Sequence, residues 1–248
     1  MSTLLKQIVK KTFRSLGLEV RRRVAVQEPL DVQRRRHILN GGNVDLLVDV
    51  GANIGDYSVA CRAHGYAGSI CCFEPQNIEF QTLQARMVAD PTLCCVRAAV
   101  GDRDGKTTIN VSGHQTSSSL LPMTRLHESI MPSSKYVRTE EVDIVRLDSF
   151  FKLGIQPPSF HRVYLKLDVQ GYEMKVLEGS TQLLRLVTGI ELELSVQEVY
   201  QGSPGYLEMI QYLENIGFRI VSWTDVLSDP VSQFVIQADA IFVRRQDA

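Results

Sequence analysis

Three acidic residues of this chain stand where an apolar run gives way to a glycine or proline. They are Asp49 in Leu46-Leu47-Val48-Asp49-Val50-Gly51-Ala52-Asn53-Ile54-Gly55, Glu74 in Cys72-Phe73-Glu74-Pro75, and Asp168 in Lys166-Leu167-Asp168-Val169-Gln170-Gly171-Tyr172-Glu173. An apolar run that stops in this way before a helical pattern reads as strand, turn, helix, which puts each acid at a strand's carboxyl end, where open α/β sheets bind ligands. Gly51 lets the backbone leave its strand at dihedrals closed to other residues, and Gly55 lets a ligand approach the free N–H groups of the next helical turn. Asn53 lies between them. A nicotinamide fingerprint wants G-x-G-x-x-G, whereas this chain offers Gly51-x-x-x-Gly55, so a dinucleotide is disfavoured. Asp49 is expected to face the ligand and to suit a cation. Glu74 can accept from both hydroxyls of a ribose; its alternative role is an exposed strand-end acid capping the next helix, which Pro75 in the first turn favours. Asp168 should look into the same crevice as Asp49, with helix N-capping as its alternative, and Glu173 is equally a first-turn acid favoured by the helix dipole. On the following strand, Glu191 lies deep enough to need a basic partner, while Glu193 is nearer the open end and is the better functional candidate.

The elements that position these residues follow in alternation. Strand 45–50, helix 54–65, strand 69–74, helix 76–88 and strand 93–100 come first; strand 162–168, helix 172–186, strand 188–195, helix 204–216 and strands 218–222 and 234–243 close the chain. Such alternation implies a mostly parallel sheet with helices on both faces. Between the halves, 106–111 and 137–146 carry β-branched residues in rough alternation and read as an added pair of strands, followed by a helix over 148–153. The intervening stretch 112–136, rich in Ser, Pro, Met and His, is expected as a long functional loop. His114, in Gly113-His114-Gln115-Thr116-Ser117-Ser118-Ser119, is the one histidine in a plausible lid, and a solvated loop residue is the plainer alternative. Tyr200 and Trp223 can shape an acceptor pocket or belong to the core.

Net charge is -1 over 248 residues, but residues 1–36 hold 10 Lys/Arg against 3 Asp/Glu. Residues 1–40 are therefore read as a basic extension, with a helix over 29–40, and 41–248 as one domain. Residues 2–16 set Leu4, Leu5, Ile8, Phe13 and Leu16 against Lys6, Lys10, Lys11 and Arg14. A helix with that pattern can lie on an anionic membrane, pack on the domain or on a second subunit, or resemble an organelle presequence. A secretory signal and a membrane-spanning run are lacking, and the five cysteines have no C-x-x-C spacing. Buried reduced thiols and a cytoplasmic protein are expected, with no metal site singled out.

Val48-Asp49-Val50-Gly51-Ala52-Asn53-Ile54-Gly55, Phe73-Glu74-Pro75, Ala99-Val100-Gly101-Asp102, Arg146-Leu147-Asp148, the Lys166–Glu173 motif and Glu193…Tyr200-x-Gly202, in that order, resemble the FkbM family of S-adenosylmethionine-dependent methyltransferases over about residues 45–222. The resemblance implies a class I methyltransferase Rossmann-like fold of seven strands and methyl transfer to an oxygen, often a hydroxyl of a sugar, glycan or polyketide-like product. The cofactor would set its ribose on Glu74-Pro75 and its amino-acid end on Gly51, Asn53, Gly55 and Asp49, with Asp168 nearby. Adenine would lie near Val100–Asp102; contact of its amino group with Asp102 is implied, although Asp102 opening a turn with Gly105 is an adequate structural explanation. Asp168 first, then Glu193, Glu173 and His114, are the candidates for orienting or deprotonating the acceptor. The expected partner is a small-molecule or glycan hydroxyl, not nucleic acid. A catalytically idle binding module and a nicotinamide-dependent oxidoreductase are the alternatives.

Overall fold

The run Leu46–Val50, buried at every position, forms the strand from which the main sheet is wound in both directions. The structure, a computed structural model, describes residues 28–155 and 158–245. The expected basic helix over 2–16 lies outside them. In chain order the elements are α1 (Leu30–Arg36), a π-helical turn (His37–Gly41), β1 (Leu46–Val50), α2 (Asp56–Ala63), β2 (Ser69–Phe73), α3 (Asn77–Met87) and β3 (Leu93–Val96). An added unit follows, with β4 (Ala99–Val100), β5 (Gly105–Ser112), α4 (Arg125–Ile130), β6 (Tyr136–Val145) and α5 (Leu147–Phe150). The second half holds β7 (Val163–Leu167), α6 (Glu173–Glu178), β8 (Val187–Ser195), α7 (Tyr206–Asn215), β9 (Phe218–Ser228) and β10 (Val235–Arg244).

The main sheet has the order β3-β2-β1-β7-β8-β10-β9, parallel except for β10, which runs antiparallel to both neighbours. The chain winds outward from β1 through β2 to β3, then starts again at β7 on the other side of β1. The boundary between β1 and β7 is thus the topological switch point, and their carboxyl ends form the crevice. Side-chain alternation gives the sheet two unlike faces. Val48, Val50, Leu165, Leu167, Leu192 and Leu194 pack beneath Val176 and Leu177 of α6 and Met209 and Leu213 of α7 in an apolar layer. The opposite face begins with Leu47, Ile70 and Tyr164, but toward the carboxyl ends it carries Asp49, Lys166 and Glu191, which strand register sets side by side.

Four expectations change. The strand expected over 93–100 divides at Arg97, whose guanidinium lies 3.6 Å from Glu140 of β6; β3 stays in the main sheet and β4 leaves it to pair with β6 in a second sheet of order β4-β6-β5. The helix expected over 172–186 stops at Glu178 and resumes as a 3-10 turn, Leu183–Arg185. Buried Asp148 caps that turn, accepting from the backbone N–H groups of Gln182 and Leu183 and from the Thr181 hydroxyl. The stretch 112–136 is structured rather than open: it bridges Asn110 to Ser119 and Met123 to Tyr200 and contains α4. Among the cysteines, Cys61, Cys71 and Cys72 are buried, but Cys94 on the edge strand is exposed.

Candidate active site

The charged patch on the sheet is paired before any ligand is considered. Arg35 of α1 donates to both carboxylate oxygens of Glu191, at 2.8 and 2.5 Å, and the hydroxyls of Tyr57 and Tyr164 each donate to it at 2.8 Å. This is the basic partner that a carboxylate inside a covered strand requires. Arg35 also lies 4.8 Å above the Tyr57 ring. Lys166 sits 3.1 Å from Asp168 and 3.7 Å from Asp49; burial favours its neutral form, but those two carboxylates outweigh burial and hold it cationic.

Asp49 itself differs from expectation. It is fully buried beneath the turn, where Oδ2 accepts from the Ser58 hydroxyl at 2.8 Å and Oδ1 has no hydrogen-bond donor. Burial, only partly offset by Lys166 and Ser58, pushes its pKa up. Asp49 therefore meets the site through Lys166 and lines neither of the two cavities at the carboxyl ends of β1 and β7.

Two cavities open at the carboxyl ends of β1 and β7. The first, of about 640 Å³, is lined by Glu74, Pro75, Gln76, Val100, Tyr172 and Ser118, among others. The second, of about 830 Å³, is lined by Arg35, Asp56, Tyr57, Lys166, Glu191 and Asp239. They share Gly51, Asn53, Gln115, Thr116 and Asp168. The glycine turn makes this junction. Gly51 has φ +77°, and a Cβ there would stand 2.0 Å from the Asp168 carbonyl oxygen, so no larger residue fits. Asn53, also left-handed at φ 49°, donates its backbone N–H to Glu74 at 2.9 Å and its side-chain amide to the Gln115 carbonyl at 2.8 Å. That second bond ties the strap Gly113–Ser119 over the junction.

Glu74 reaches the first cavity from the end of β2. Its oxygens accept from the N–H groups of Asn53 and Gln76, and burial nonetheless pushes its pKa up to about 7. Asp168 is half-exposed at 42 % of its side chain and is fixed by Lys166 at 3.1 Å and by the Gln170 amide at 2.7 Å.

Other expected site residues have different surroundings. Gly55 packs against α3, where a Cβ would come within 2.7 Å of Leu83, so packing also requires that it lack a side chain. Asp102 lies 3.4 Å from both Arg103 and Lys175 and lines neither cavity. Glu173 turns its carboxylate onto the N–H groups of Val169 and Gly171, stapling the turn after β7; burial pushes its pKa up to about 7. Glu193 accepts from the amides of Gln170 and Gln237, and burial followed by the charges of Asp168, Glu173 and Asp239 pushes it well up. His114 contacts Thr116 through Nδ1 at 3.1 Å. Tyr200 is buried and donates to the Gln170 side chain at 2.7 Å, whereas Trp223 lies on edge strand β9. Sequence reasoning missed Arg35, Lys166, Gln170 and Asp239. Lys166 and Asp239 carried a signal, since each is a charge inside a strand expected to be buried.

These residues fit S-adenosylmethionine. Glu74 is an acceptor pair for a ribose, Ala98, Val100 and Tyr172 make an apolar wall for a base, and the second cavity mixes Arg35 and Lys166 with Asp168 and Asp239, as a zwitterionic amino-acid tail needs. Strand order and site together define a class I S-adenosylmethionine-dependent methyltransferase. The family described as methyltransferase FkbM domain matches residues 49–220, and the chain belongs to it. That displaces the oxidoreductase alternative, and S-adenosyl-L-methionine is the cofactor.

No curated protein sequence matches the chain. Among solved structures it is similar to magnesium protoporphyrin IX methyltransferase from Synechocystis with bound SAM, at 13% identity and TM-score 0.46 over 97% of each chain. It is also similar to precorrin-6y C5,15-methyltransferase from Geobacter metallireducens, at 11% identity and TM-score 0.46 over 92% of this chain and 94% of that one. An rRNA methylase from Streptococcus thermophilus has 10% identity and TM-score 0.46 over 90% of this chain and all (100%) of its own. Identities this low say nothing of the acceptor. Among the described residues no helix is long and apolar enough to cross a membrane.

Proposed function

We propose that the chain methylates a hydroxyl oxygen of a small polyhydroxylated acceptor, a sugar, glycan or polyketide-like product, with Asp168 orienting the hydroxyl and accepting its proton. The observation that carries this reading is that Asp168 is the one titratable side chain shared by both cavities. When bound, S-adenosylmethionine supplies a methyl group already activated by its sulfonium. The protein's part is to align the acceptor oxygen and to receive its proton. Lys166 and the Gln170 amide take one Asp168 oxygen each, which fixes the carboxylate's rotamer and leaves its remaining lone pairs for an acceptor. Gln170 is in turn held by Glu193 and by the Tyr200 hydroxyl, so these two buried groups act through Gln170.

The test is a panel of sugars and hydroxylated natural products incubated with methyl-labelled cofactor. Label on an acceptor oxygen, lost in Asp168→Asn while S-adenosylhomocysteine still binds, supports the reading. Label on nitrogen or carbon, or an Asp168→Asn enzyme as fast as wild type, refutes it.

A further inference from the structure

Cysteines stand in register on two neighbouring strands. Parallel pairing of β2 with β3 sets Cys71 beside Cys94 and Cys72 beside Cys95, and β3 is an edge strand of the main sheet. Side chains alternate along a strand, so the two pairs lie on opposite faces. Cys71 belongs to the apolar layer beneath α6, against which Val96 also packs, whereas Cys72, Leu93 and Cys95 belong to the layer on the other face. Cys94, two positions before Val96, is therefore on the Cys71 side. Neighbouring strands stand about 4.8 Å apart, inside the roughly 4.4–6.8 Å that a disulfide spans between Cα atoms.

The two pairs differ in their surroundings. Cys94 is exposed and Cys71 is buried. The Cys71 thiol donates to the Cys94 sulfur, which holds the Cys94 thiol below its ordinary range and, together with burial, pushes the Cys71 thiol up. One sulfur thus meets solvent as a thiolate while the second sits beside it, out of reach of a dissolved oxidant. On the other face Cys72 contacts the Ser58 hydroxyl at 3.3 Å. Burial pushes both thiols of that pair up, Cys95 to about 11, so they stay protonated and unreactive.

We propose that Cys94 and Cys71 form a peroxide-reactive dithiol, in which Cys94 attacks the oxidant and Cys71 resolves the product into a disulfide between β3 and β2. The Cys94 thiolate attacks one oxygen of hydrogen peroxide; the S–O bond forms, the O–O bond breaks, and the departing hydroxide takes up a proton as water. Cys94 is then a sulfenic acid, oxidised by two electrons. The Cys71 sulfur attacks the Cys94 sulfur, the S–S bond forms, and the S–O bond breaks as hydroxide leaves with the Cys71 proton as a second water. In sum, two thiols and one peroxide give one disulfide and two waters. The bridge lies three positions before Glu74, whose backbone N–H donates to the Val96 carbonyl at 3.1 Å; it therefore fastens the edge strand to the strand that carries Glu74. None of these four cysteines lines either cavity at the carboxyl edge, so the proposal is independent of the methyl acceptor.

The experiment treats the full reduced chain with hydrogen peroxide, blocks remaining thiols with iodoacetamide, and maps tryptic peptides without reduction. Cleavage after Arg62, Arg86 and Arg97 leaves Cys71 and Cys72 on peptide 63–86 and Cys94 and Cys95 on peptide 87–97. The expected product is these two peptides joined, two hydrogens lighter than their sum, with fragment ions assigning Cys71 to Cys94. It should come from a protein that runs as one chain on a non-reducing gel, and dithiothreitol should separate it again. Cys94→Ser should lose the joined peptide completely, whereas Cys95→Ser, a change on the same edge strand, should keep it; the thermal midpoint of each variant reports folding. Any of four results overturns the proposal: a joined peptide that persists in Cys94→Ser, one that is lost in folded Cys95→Ser, Cys94 bridging two chains, or Cys94 left as a thiol or as a sulfinic acid with no bridge.

Discussion

Replacing Glu74 tests the cofactor site through a magnitude that follows from its hydrogen bonds. An ionised carboxylate offers about four acceptor positions. Two are used by the N–H groups of Asn53 at 2.9 Å and Gln76 at 2.8 Å, and the Gln76 side-chain amide reaches the carboxylate only at 3.5 Å, a weak contact that a ribose hydroxyl can displace, so two positions are open to a ribose diol. Hydrogen bonds to a charged group contribute roughly 1.5–3 kcal/mol each, so Glu74→Ala should lose about 3–6 kcal/mol of binding, or roughly 100- to 10,000-fold in Kd. Glu74→Gln keeps one acceptor oxygen and should lose about half of that free energy. Calorimetric titration with S-adenosylhomocysteine reads both. The pH dependence is a second signature. Burial, ahead of the charge of Glu79, raises Glu74 to about 7 in the free protein against the opposing backbone hydrogen bonds. Since the ionised form is the double acceptor, affinity should rise as pH goes from 6 to 8 and be flat over this range in Glu74→Gln. A Glu74→Ala protein that is folded and binds within about three-fold of wild type would refute the reasoning, because no arrangement of two charge-assisted bonds is worth so little.

Further predictions rest on other parts of the structure. Gly51→Ala must place a Cβ 2.0 Å from the Asp168 carbonyl at φ +77°, and should cost roughly 3 kcal/mol or more, read as a fall in thermal midpoint of about 6–12 °C. Glu191→Ala leaves Arg35 and the hydroxyls of Tyr57 and Tyr164 without their common acceptor; urea unfolding should show a loss of about 3–5 kcal/mol, and no loss would mean that the pair is dispensable. Glu74 and Glu173 are both raised to about 7 from 4.5. Their contribution to stability is therefore fully present below pH 4.5 and is lost as pH rises through 7, so thermal midpoints of the cofactor-free protein should carry a downward component across that window, absent in Glu74→Gln/Glu173→Gln. Asp168→Asn should reduce turnover by about 100- to 10,000-fold with cofactor-product affinity changed far less.

The turns were legible in the sequence because their chemistry is local. A glycine that alone can take φ +77°, after five buried residues and before a helix, admits one reading, and the structure has strand, turn and helix there. The direction of the acids was less legible. Asp49, Glu173 and Glu193 share the strand-end or first-turn positions of Glu74 and Asp168, yet a hydroxyl of α2, the N–H groups of a turn and two glutamine amides occupy them. Those partners come from elements nine to forty-four positions away, or from a turn whose geometry only the fold fixes. Arg35 was hidden for the same reason. It stood in a basic run that reads as an appendage, and only the packing of α1 over the sheet brings it 156 positions to Glu191. The strand expected over 93–100 divides because Ala99 and Val100 pair with Ile144 and Val145 of β6, a partner more than forty positions away that no local pattern announces.

The most direct test of the central claim is a crystal structure of the full chain with S-adenosylhomocysteine. The account predicts ribose hydroxyls on the Glu74 carboxylate, adenine against Val100, the amino-acid tail toward Lys166 and Arg35, and the sulfur at the junction beside Gly51 and Asp168. A ligand whose ribose avoids Glu74, or whose sulfur points away from Asp168, would contradict it.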